Sequence, residues 1–109
     1  MAYDERLAER VGVLVARRSD FYQQKMFGGV GFLLRGNMCI GVWKEYLILR
    51  LGIERAGQAL SKGRARPFDI TGRAMKGWVM VGPKGTKPDA ALKNWVSQAI
   101  SFVSKLPRK

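Results

Sequence analysis

Val30-Gly31-Phe32-Leu33-Leu34-Arg35-Gly36-Asn37-Met38-Cys39-Ile40-Gly41-Val42-Trp43 is the stretch on which the fold of this chain turns. Two apolar arms, 30–35 and 38–43, flank Gly36-Asn37, a pair able to supply the positive φ of a tight hairpin turn. Glu45-Tyr46-Leu47-Ile48-Leu49-Arg50-Leu51 continues as a third strand. Lys44-Glu45 between them is a poor turn pair, so the register of that strand stays open. The three strands form a meander.

Outside the meander the period changes to that of a helix. Tyr3, Leu7, Val11 and Leu14 recur at helical spacing, with Glu5, Arg6, Glu9, Arg10 and Arg17 on other faces, which predicts an amphipathic helix over 3–18. Leu92, Trp95, Val96, Ala99, Val103 and Leu106 repeat the pattern. Pro88 and Asp89 suit a first turn there and Pro107 marks the stop, giving a helix over 88–106. Ile53, Ala56 and Leu60 outline a short helix over 53–60, weakened by Gly57. Short strands are expected near Phe68–Ile70 and over 77–82. Helix, meander, strand pair and helix make an α+β order. The end helices are expected to pack on an antiparallel sheet of 30–35, 38–43, 45–51 and 77–82, burying Leu7, Val11, Leu14, Trp95, Val96 and Val103.

A length of 109 residues suits one domain, and no repeat, low-complexity tract or linker divides it. The polar start Met1-Ala2-Tyr3-Asp4-Glu5-Arg6 does not read as a secretory leader, and no apolar run approaches the ~20 residues of a membrane span. Cys39 is the sole cysteine, so an internal disulfide and a multi-cysteine metal site are excluded and a reducing cytoplasm fits. Flanked by apolar strand residues, it reads as an inert thiol. Histidine is absent, which removes the commonest general base and metal ligand, and the eight acids suggest no carboxylate pair. No catalytic residue, metal or cofactor is therefore expected, and the protein reads as non-enzymatic.

Charge is the other signal. Between Lys62 and Lys87 seven cations face the single acid Asp69, so about a quarter of the chain carries half of its net +12. The candidates for holding nucleic acid or another anion are Arg64, Arg66, Arg73, Lys76, Lys84 and Lys87. The bland reading is a solvated basic loop that aids solubility. Lys84, Thr86 and Lys87 precede the last helix and could attract a phosphate, or simply form a polar connection. Of the tryptophans, Trp43 and Trp95 read as core, while Trp78, close to Arg73 and Lys76, is the one candidate for stacking on a base. Gly28-Gly29-Val30-Gly31 precedes a strand rather than a helix, and Pro83 follows Gly82 where a phosphate loop needs lysine. Neither is a nucleotide motif; both read as glycines that permit turns.

Met26-Phe27-Gly28-Gly29, then Gly36-Asn37-Met38, then Gly72-Arg73-Ala74-Met75-Lys76-Gly77-Trp78-Val79, in that order, resemble the TfoX N-terminal domain family over roughly residues 5–106. The resemblance implies a two-layer α+β sandwich, an antiparallel sheet packed by N- and C-terminal helices, similar in outline to type III secretion chaperones. It makes Met26, Phe27, Gly28, Gly29, Gly72, Gly77 and Trp78 structural motif positions and carries over no catalytic residue. It also implies bacterial regulators of competence, acting with the cyclic-AMP receptor protein at promoters of DNA-uptake genes; the second, helical domain of those regulators is not expected in a sequence that ends at Lys109. The functional expectation is a regulatory module that binds a protein partner, transcription machinery included, and forms a homodimer as the chaperones do. The alternative is direct, largely sequence-independent nucleic-acid binding through 62–87. Convergence of the six cations on one face favours nucleic acid, and scatter favours a protein partner.

Overall fold

A computed structural model describes residues 3–26, 28–69, 72 and 75–108. In chain order the elements are α1 (Glu5–Val15), β1 (Phe21–Met26), β2 (Gly29–Leu34), β3 (Asn37–Trp43), β4 (Tyr46–Arg50), α2 (Ile53–Ser61), β5 (Arg66–Pro67), β6 (Trp78–Val81), α3 (Pro83–Thr86) and α4 (Asp89–Val103). The strands form one antiparallel sheet in the order β1-β2-β3-β4-β6-β5. Buried side chains of α1, α2 and α4 join Val30, Phe32, Leu34, Ile40, Val42, Leu47, Leu49, Val79 and Val81 in one core, so these helices share one face of the sheet. The architecture is α+β in two layers.

The N-terminal helix starts where Asp4 accepts a hydrogen bond from the Leu7 N–H at 3.1 Å, satisfying one of the free donors of its first turn. Leu7, Val11 and Val15 are buried at a spacing of four, whereas Leu14, expected in the core, is 37% exposed. A stripe at that spacing leaves Leu14 on the flank. The helix stops at Val15, short of residue 18, and Arg18 turns back to the Asp20 carboxylate.

Strand β1 was not foreseen, because Phe-Tyr-Gln-Gln-Lys-Met lacks an apolar alternation. As an edge strand it is mostly solvated. The β2–β3 turn is built on Arg35 (φ 53°) and Gly36 (φ 86°), one residue earlier than Gly36-Asn37. Asn37 instead starts β3, buried, and its Nδ2 donates to the Pro107 carbonyl at 2.9 Å. A bulge shifts the register between Phe32↔Ile40 and Leu33↔Met38. At the β3–β4 turn Lys44 takes φ 53° and its carbonyl accepts from the Asp4 N–H at 2.7 Å. That tie to the N-terminus steadies an unfavourable turn and holds Trp43 opposite Tyr46.

The weakly signalled helix exists as α2, but on a different face: Ala56 and Ala59 are buried, while Ile53 is 72% exposed and Leu60 lies outward. The strand expected near Phe68–Ile70 lies earlier, at Arg66–Pro67; Ile70 lies outside the described residues. Residues 83–86 form the unforeseen turn of helix α3. The last helix ends at Val103, and Leu106 packs against the core from beyond it. Leu7, Val11, Trp95, Val96 and Val103 are buried as expected. Among the described residues no helix is long and apolar enough to cross a membrane.

Candidate functional site

Side chains alternate across a strand, so the residues between the core positions point to the face away from the helices. Leu33, Ile48 and Met80 are buried there without belonging to the helix-side core. Gly31 and Gly41, directly paired, leave room for methionine: a Cβ on Gly31 would lie 2.8 Å from Met38 Sδ and 3.0 Å from Met26 Cε, and one on Gly41 3.0 Å from Met38 Cε. Met26, Met38, Ile48 and Met80 thus floor an apolar face.

Aromatic residues and cations rim it. At one end Trp43 and Tyr46 stack, with centroids 6.4 Å apart and planes at 22°. Lys44 Nζ lies 4.6 Å from the Trp43 ring centre, and the Arg66 guanidinium lies 5.6 Å from that of Tyr46 while donating to its hydroxyl at 2.9 Å. At the other end Arg50, paired with Trp78 in the ladder, lies 5.5 Å from the Trp78 ring centre, with Phe68 5.7 Å away on the same indole. Each contact is of the cation–π or aromatic type.

Among the described residues, the cations expected to bind do not all share one surface. Arg64, Arg66 and Lys84, with the single acid Glu45, line an open cleft of about 510 Å³ beside Tyr46 and Met80. Lys87 faces elsewhere, in a hollow with Arg6 and Arg10 of α1. Lys76 precedes β6 and Lys84 follows it, so four residues of extended chain, ~13 Å, lie between them. Arg73 lies outside the described residues. The segment before α4 is closed rather than poised for phosphate: Thr86 is 3% exposed, and Arg10 Nη2 donates to the carbonyls of Thr86 (2.8 Å) and Lys87 (3.1 Å) and to Asp89 Oδ1 (2.9 Å).

Trp43, read as core, is half-buried on the helix-free face, and Trp78 is half-buried at its other end. Lys44, Tyr46 and Arg50 were missed as site residues. The signal existed: the alternation Tyr46, Ile48, Arg50 against Leu47, Leu49 already separates the two faces of β4. Of the motif glycines, Gly28 (φ 75°), Gly72 (φ 86°) and Gly77 (φ 87°) take backbone that favours glycine, and a Cβ on Gly29 would strike the Val42 carbonyl oxygen. Phe27 lies outside the described residues.

The sequence profile of the TfoX N-terminal domain matches residues 14–103, from the end of α1 to the end of α4. The chain belongs to the TfoX N-terminal domain family. Comparison with curated proteins returned no match. In this TfoX-type domain the matched segment contains the whole sheet and therefore both aromatic–cation clusters. The family suggests a regulatory module connected with competence and DNA uptake.

Proposed function

We propose that this TfoX-type domain is a regulatory module without catalysis of its own, and that it acts on a nucleic acid reached through the edge formed by Arg64, Arg66 and Lys84. The six cations do not converge as a whole, with Lys87 in another hollow, so the reading is carried by the three that do share one cleft, next to the aromatic rim, in a chain of net charge +12. The absence of histidine and the burial of the only cysteine, whose thiol is pushed up to about 12 by desolvation, support a non-enzymatic role. We place this activity in competence or transcription within a bacterial cytoplasm, a reading that membership of the family supports.

Fluorescence anisotropy with labelled DNA in rising salt tests the reading. Affinity falls with salt, because each paired phosphate releases condensed counterions, and Arg64→Gln with Lys84→Gln lowers both affinity and salt slope. Absence of binding at low salt overturns it. A protein partner is the second reading, favoured by Val13 and Leu14, which leave an apolar strip of α1 75% and 37% exposed. Capture of a protein from nuclease-treated lysate that is lost in Val13→Ser/Leu14→Ser supports that reading instead.

A further inference from the structure

We infer that the helix-free face of the sheet is a platform for single-stranded nucleic acid, with bases stacking on Trp43, Tyr46 and Trp78 and phosphates meeting Lys44, Arg50 and Arg66. The inference rests on the nucleic-acid reading above and adds the form of the ligand and the surface that holds it.

The pairing of ring and cation comes first. Lys44 lies over Trp43 at 4.6 Å, Arg50 over Trp78 at 5.5 Å and Arg66 over Tyr46 at 5.6 Å, and all three rings are half-buried, anchored on the sheet with part of their surface in solvent. A base presents a π-face to such a ring whatever its identity, while the neighbouring cation meets the adjoining phosphate. Spacing comes second. Tyr46 and Arg50 begin and end β4, so the two clusters stand ~13 Å apart, room for about four bases at the ~3.4 Å of a stacked strand. The floor between them is methionine laid over Gly31 and Gly41, and methionine side chains re-pack to suit bases of different shape. A duplex keeps its bases inside and cannot offer their faces to a sheet, whereas unpaired bases can be splayed onto one.

Charge selects among occupants of an open sheet face. A second copy docked on this face would bring two cationic rims together, each on a chain of +12. A polyanion meets the same rims with opposite charge.

The test is anisotropy with labelled oligothymidylate and a duplex of equal length at one salt concentration. The single strand binds about tenfold more tightly or better; Trp43→Leu and Trp78→Leu each weaken it about fivefold to a hundredfold and leave duplex binding unchanged, whereas Tyr46→Leu, which also releases Arg66, weakens both. A thermal melt identifies any variant that fails to fold. Tryptophan quenching in the unaltered chain gives a readout that needs no variant: oligothymidylate quenches part of the emission, and the core Trp95 keeps the rest. Lys87→Gln, off this face, lowers both affinities equally and slightly. Equal affinity for single strand and duplex, folded leucine variants with undiminished single-strand binding, or absence of quenching overturns this inference alone. Loss of all nucleic-acid binding at low salt overturns the proposed function with it. A chain that sediments as a dimer with Trp43 and Trp78 shielded from acrylamide gives the face to a second copy and overturns the inference too.

Discussion

Cys39 has no exposed surface in β3, and desolvation pushes its thiol up to about 12, with the positive charges of Arg18 and Arg50 offsetting part of that rise. The folded value lies above the ordinary 9.0, so the stability the neutral thiol contributes is complete below pH 9 and is lost as pH rises toward 12. Urea unfolding across that window loses up to about 1.4 kcal/mol per pH unit to this group, and Cys39→Ala shows a correspondingly flatter decline. An alkylating reagent at neutral pH modifies the unfolded chain and spares the folded one. Rapid modification of the native protein would show that β3 opens. Asp20 behaves in the opposite sense. Hydrogen bonding from Arg18, with help from Arg35, holds its carboxyl below 3.8 against the opposing effect of burial, so its contribution is present above that value and fades as the medium becomes more acid. Asp20→Asn therefore flattens the acid limb of a stability–pH curve below pH about 4. An unchanged limb would mean that the Arg18–Asp20–Arg35 cluster does not persist in solution.

The elements differ in how much of themselves the residues announced, and the difference is physical. Strands β2 and β3 are read directly, because they are apolar along their length and the glycine-bearing turn separates them. An edge strand such as β1 meets its partner through backbone hydrogen bonds on one side and water elsewhere, so its side chains carry little pattern. The same limit hid the aromatic rim. Trp43 as a sequence letter is an apolar residue, and only strand order reveals that its face lacks helices among the described residues. Helix α2 shows how two glycines with one composition can have opposite effects. Gly52 caps it at φ 87°, where a Cβ would lie 2.7 Å from the Phe102 ring, so Gly52→Ala lowers stability by about 1–3 kcal/mol. Gly57 sits on its exposed side with open space around it, and Gly57→Ala raises stability by about 0.5–1 kcal/mol through helix propensity. Urea midpoints that move the same way for both substitutions would contradict this placement of α2. On α4, Trp95→Ala costs about 3–5 kcal/mol as an emptied core site, measured in the same assay.

At the scale of the molecule, a chain with twenty cations and eight acids folds to a radius of gyration of 12.6 Å. The Debye length falls from ~30 Å at 0.01 M salt to ~8 Å at 0.15 M, so at low salt the charges repel across the whole fold and at physiological salt mainly near neighbours do. Salt therefore acts with opposite signs on folding and on the proposed binding. The thermal midpoint of the free chain rises as salt is added over that range, since self-repulsion of the compact state is relieved. Affinity for single-stranded nucleic acid falls over the same range. If Lys44, Arg50, Arg66, Arg64 and Lys84 each meet a phosphate, the log–log slope is about −3.5. Removing one of them by Arg50→Gln reduces its magnitude by about 0.7, while removal of Lys87, on the α1 side, leaves the slope in place. A thermal midpoint that falls with salt would locate the dominant electrostatics in attractive pairs such as Arg10–Asp89 rather than in net repulsion. A slope near zero would remove phosphate contact from the account of this face and leave its aromatic rim to a partner that carries little charge.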